Sequence, residues 1–148
     1  MDHQPPGGDS LAAVARSAVK DLGVGSAAVF VVAPGSTDLV LGAAEGIEGP
    51  PLERLAQAVR DPAHPIARTL DEATPSFDVT PTAPGGPALR SHVPLLVVAD
   101  GGLLAVGVLA VAHDDRMSPA SRQALVDLAA RAAAIHSAPP VGSRLTSG

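Results

Sequence analysis

Apolar residues along this chain fall into two rhythms, one helical and one extended. Near the start, Leu11, Val14, Ala15, Ala18, Val19 and Leu22 recur at steps of three and four, which puts them on one face of an α-helix. The spacing predicts a helix over residues 10–22, with Asp9 as its cap and Gly23 in the left-handed stop position. SAAVFVVA (26–33) and LVLGAAEG (39–46) are β-branched runs around the turn cluster PGSTD, the pattern of a hairpin. GPPLERLAQAVRD tolerates its prolines in a first helical turn and puts Leu52, Leu55, Ala56 and Val59 on one side. A short helix over 64–73 and a short strand over 75–80 follow, and then TAPGGPA (82–88), which has the composition of a loop. The strongest signal comes next. LRSHVPLLVV (89–98) and LLAVGVLAVA (103–112) flank an Asp-Gly turn, and their continuous apolarity predicts interior strands covered on both faces. Pro94 has no N–H for a ladder, so it must sit at a bulge or face outward. After the polar stretch HDDRM, Ser118 and Pro119 open a terminal helix over 119–136, in which Leu125, Leu128, Ala132 and Ile135 repeat at helical spacing.

This order predicts an α+β domain. Residues 1–8 are expected to be a flexible tail, 9–137 the domain, and 138–148 a disordered tail. The 148-residue length fits one domain.

Composition narrows the chemistry. Phe30 and Phe77 are the only aromatics, with no Trp or Tyr, so the core is built from small branched side chains and few rings are available for stacking. The absence of Cys rules out disulfides, thiolate metal sites and a cysteine nucleophile. A net charge of −5 without a basic run argues against nucleic acid as a partner. No apolar run reaches the roughly 20 residues that span a bilayer, and the start lacks a signal-peptide pattern. A cytoplasmic address without membrane contact is expected.

Five histidines, His3, His64, His92, His113 and His136, are not spaced as metal pairs. His113 beside Asp114 and Asp115 reads as a solvated connector, and His92 as a strand residue near a pocket or bonding locally. Too few aromatics surround His64 to argue for haem. No G-x-S-x-G elbow is present. GGP at 85–87 lacks the lysine and hydroxyl of a phosphate loop. Glu53 with Arg54, and Asp71 with Glu72, read as helix-surface charges. No cofactor and no catalytic residue is expected.

Three blocks together resemble a GAF domain across residues 9–137: the early hairpin ending in Gly46, the closing SPASRQALVDLAARAAAIHS, and above all the stretch holding Arg90, Ser91, Pro94, Leu95, Gly102, Gly107, Val108 and Leu109. The resemblance implies a central antiparallel sheet with the N- and C-terminal helices packed on one face and the irregular helical and loop segment over the other. It also implies a non-catalytic regulatory or sensory domain that binds a small molecule, relays a signal through dimerisation, or does both. Its output would pass to a separate signalling partner. It departs from the bilin-carrying and methionine-sulfoxide-reductase members, which need cysteines. Of the cyclic-nucleotide signature only Phe77 and Asp78 echo. Read together with the apolar runs, it suggests an aliphatic pocket with Phe77, Asp78, Arg90, Ser91 and His92 as ligand contacts. The terminal helix is apolar on more than one side, which suggests a homodimer through Leu11, Ala15, Leu125, Leu128, Ala132 and Ile135. The alternative is a ligand-free protein–protein interaction module whose pocket has collapsed. A small hydrolase or isomerase would need a pocket base of perturbed pKa.

Overall fold

A computed structural model describes residues 10–33, 35–80, 89–99 and 101–137. The expected cap Asp9, the loop at 82–88 and both tails lie outside the described residues. The first helix, α1 (Leu11–Leu22), is capped instead by Ser10, whose Oγ accepts the Ala13 N–H at 3.1 Å. Gly23 closes it in the left-handed region (φ 71°) and donates its N–H to the Val19 carbonyl. There follow β1 (Ser26–Val32), β2 (Leu39–Glu45), α2 (Gly49–Ala58), α3 (Pro65–Glu72), β3 (Ser76–Val79), β4 (Leu89–Ala99), β5 (Gly102–His113) and α4 (Pro119–Ser137). Ser118 caps α4 through the Ser121 N–H, as its position before Pro119 predicts.

The strands form one antiparallel sheet in the order β2-β1-β5-β4-β3. β5 is therefore central, with β1 and β4 beside it, so the two long apolar runs are interior neighbours. β3 pairs with β4 only as far as His92. Among the described residues, Pro94 thus lies where β4 has no further neighbour on that side, next to the register shift at Leu95/Leu96.

The two faces of the sheet are covered by different helices. Leu109 and Val111 of β5 turn toward α1 and α4, where Val14, Ala15, Ala18, Leu125, Ala129 and Ala132 fill the core. Val108 and Ala110 turn the other way and pack with Phe30, Val59 and Ile66 beneath α2 and α3. The period-two alternation of β5 is what separates these layers. The cover stops short of the hairpin tip. Val98 is 81% exposed, Leu103 66% and Leu104 53%, so the run expected to be shielded along its whole length projects beyond the helices at that end. No described helix is long and apolar enough to cross a membrane.

Candidate functional site

The α2/α3 face offers the larger opening. Where α3 and the α2–α3 connection meet the turn before β2 and the start of β5, they leave a groove of about 730 Å³. Its lining is aliphatic (Leu39, Val59, Leu70, Leu103), and Asp38, Arg60 and Asp71 supply charge. This volume lies within the roughly 300–1,000 Å³ typical of small-molecule sites.

At the other end of α3, three basic side chains gather. Residues opposite one another in a strand pair share a face. His92 is opposite Ala110, and Arg90 opposite Ala112, so both point toward α3. His64 caps α3: its Nδ1 accepts the Ile66 N–H at 3.1 Å. A ring nitrogen that accepts carries no proton, so the neutral ring holds its hydrogen on Nε2. His92 is only 3% exposed, and its Nδ1, like Arg90 Nε, has no hydrogen-bond partner among the described residues. Burial, reinforced by the positive potential of His64 and Arg90, pushes His92 down to about 4. His64 is lowered too, by burial first and Arg90 second, with Asp61 pulling the other way.

Ser91 lies between Arg90 and His92 in sequence but opposite Val111, so it faces α4. There it joins an interior network. The His113 Nδ1 lies 2.7 Å from the Asp115 carbonyl; a carbonyl only accepts, so Nδ1 carries the hydrogen and Nε2 is left as an acceptor. Ser91 Oγ therefore donates to His113 Nε2 (2.8 Å) and accepts the Asp78 N–H (3.1 Å). Asp78 adopts a positive φ of 57° at the register shift of β3, which swings its carboxylate toward α4. Oδ1 accepts the Met117 N–H at 3.0 Å, and Oδ2 pairs with Arg122 at 2.6 Å. The carboxyl is held below its usual range, chiefly by the Met117 N–H and then by Arg122, against the opposing effect of burial. Arg122 in turn stacks 4.9 Å over the Phe77 ring. The network ties β3, β4, β5 and the entry to α4 together. Ser91 is 0% exposed, while His113 borders a small cavity of about 280 Å³ with Met117 and Ser121.

The residues expected to contact a ligand are thus divided between two faces. Arg90 and His92 lie on the α3 side, while Phe77, Asp78 and Ser91 are occupied against α4. None of the five lines the groove. His113, read from sequence as part of a solvated connector, is 6% exposed and ends a core strand. Sequence reasoning missed the groove residues and the role of His64, although a histidine directly before Pro65 at a helix start was a usable signal. Of the expected dimer contacts, Ala15, Leu125, Leu128 and Ala132 are buried in the chain's own core, because they are the stripe that faces the sheet. Leu11 and Ile135 are half-buried at its margin. Among the described residues no group of His, Asp or Glu side chains is arranged to hold a metal.

No family model matches the chain, and no curated protein is significantly similar to it. Solved structures are. The GAF domain of a phosphoenolpyruvate-protein phosphotransferase from Coxiella burnetii superposes with a TM-score of 0.70 at 15% identity, over 97% of this chain and 88% of that one. The GAF-B domain of DevS from Mycobacterium smegmatis does so with a TM-score of 0.69 at 19% identity, over 96% and 98%. At these identities the likeness is one of fold: the chain has the GAF-like arrangement of helices around an open antiparallel sheet.

Proposed function

We propose that this chain is a non-catalytic, cytoplasmic regulatory module that takes a small amphipathic molecule into the groove between α3, the α2–α3 connection and the start of β5. The observation that carries this reading is the groove itself, about 730 Å³ with an aliphatic lining and charged side chains around it. With no aromatic ring in its lining, recognition rests on aliphatic contact and on Asp38, Arg60 and Asp71 rather than on stacking. A ligand that binds only the folded state stabilises it by about 1.4 kcal/mol at tenfold excess over Kd, roughly 3–6 °C in Tm for a domain of this size. A thermal-shift screen against a metabolite library is expected to give such a hit. The change Leu103→Asp, at an exposed groove position, should abolish the shift with little effect on unliganded Tm. An empty screen, or hits that ignore Leu103→Asp, would overturn the reading.

A second reading, association of two copies along α1 and α4, is favoured by the outer side of those helices. Ala12, Ala130 and Ala134 are exposed there, beside the half-buried Leu11 and Ile135. Such small side chains allow close helix approach. Equilibrium sedimentation at about 50 µM should return a dimer, and a clean monomer removes this reading.

A further inference from the structure

We propose that α3 is a proton-released latch: protonation of His64 and His92 detaches this helix from the sheet while the β4–β5 core stays folded. The geometry supplies the device. His64 holds the start of α3 by accepting the Ile66 N–H; an imidazolium has no lone pair, so protonation removes the cap and sets a positive charge at the helix end where the dipole disfavours it. His92 lies in the sheet beneath, buried, with one nitrogen unpaired. A charge there would meet Arg90 from its own strand and His64 from the helix.

Among the described residues, counter-charge is scarce on every side. Asp61 is the acid that acts on His64, and its Oδ1 is already engaged by the Ala63 N–H. On α3 itself Arg68 and Glu72 pair with each other in solvent, and Asp71 faces the groove. Arg60, on the connection, adds a further positive charge on that side. β5 presents Ala110 opposite His92 and β3 presents Ser76, neither charged.

The apolar hold of α3 on the sheet is Ile66 in the Phe30 cluster, with Leu70 packed beside it. The helix has eight residues, buries Ile66 and Thr69, and bonds the Thr69 hydroxyl internally to the Pro65 carbonyl. A helix so short has no stability of its own. The His92 Nδ1, unpartnered among the described residues, is a cost of the closed state that water relieves on opening, so hydration and protonation favour the open form together. The sign is fixed by burial. His92 is depressed while α3 is seated, opening restores its ordinary basicity, and so the open form takes up protons and gains as pH falls below about 6.5. Between pH 7.5 and pH 5, His92 alone raises the open population about 30-fold. Because Ala67, Leu70 and Asp71 wall the groove, the latch would set its shape.

Hydrogen exchange at pH 7.5 and pH 5, corrected for intrinsic rates, tests this on the whole chain. The α3 amides should lose about 30-fold in protection, while those of β4 and β5 hold. His64→Asp supplies an anionic cap to the same Ile66 N–H and should flatten part of the dependence. His92→Leu, which cannot titrate, should flatten most of the rest. If His92→Leu does not fold, the imidazole titration of the wild-type chain by NMR replaces it, with His92 expected to charge in step with α3 exchange. Protection of α3 that is unchanged by pH, or that falls together with the β4–β5 amides, overturns the proposal.

Discussion

Gly107→Ala is expected to cost at least about 3 kcal/mol of stability, more than a single methyl group costs at most positions. Gly107 lies in the central strand, opposite Val31 of β1 and Leu95 of β4. A Cβ there would fall on the Phe30 carbonyl oxygen, 3.2 Å from the Val31 Cα and 3.0 Å from the Leu95 Cδ2. Two of the three obstacles are backbone of the paired strand. Neither rotates away, so β1 must separate from β5 to admit the methyl group, and the shared ladder weakens. Gly102, in the same strand, has nothing within 4 Å of its added Cβ, and Gly102→Ala should stay within about 0.5 kcal/mol of wild type. Urea denaturation followed by circular dichroism suits a chain without Trp or Tyr. A Gly107→Ala midpoint equal to that of Gly102→Ala would mean that β1 and β5 lie farther apart than described.

That glycine also marks where sequence reasoning succeeded. The Gly107-Val108-Leu109 stretch carried part of the GAF resemblance, and the close strand approach at Gly107 gives it a physical reason. Element order was legible because the chain punctuates itself: Gly23 stops α1, Pro65 opens α3, and Ser118-Pro119 opens α4. Side-chain direction was harder. Arg90, Ser91 and His92 look like one cluster in sequence, yet a strand sends neighbours to opposite faces, and only pairing with Ala112, Val111 and Ala110 assigns each. The same alternation, carried on from Leu109 and Val111, would have turned His113 inward, had the polar HDD run not suggested a loop. The left-handed Asp78 had no signal at all, since nothing local demands a positive φ from an aspartate there. In α4 alanines lie on every side, so spacing alone did not separate the stripe facing the sheet from the one facing solvent. The groove depends on where the α2–α3 connection settles, a tertiary matter that no local pattern encodes.

Phe30→Ala addresses that settling directly, and is expected to cost about 3–5 kcal/mol. Phe30 is 0% exposed and is packed between the sheet and α2/α3 with Leu39, Val59, Ile66 and Val108. It is the only phenyl ring on this face, because Phe77, the chain's other Phe, packs on the α1/α4 side. Its neighbours Ala28 and Ala110 are too short to fill the vacated space, which places the cost toward the upper end of that range unless the helices shift inward. An apolar cavity left open in this way stays dry and accepts a small aromatic molecule. Saturating benzene should therefore raise the Tm of Phe30→Ala and leave wild type unmoved. That result would identify Phe30 as the plug that closes the centre of this face and leaves the groove as its remaining opening. A loss below about 2 kcal/mol with no benzene effect would instead mean that α2 and α3 slide onto the sheet when the ring is gone. The cover of this face would then be adaptable, and the groove would change shape with it.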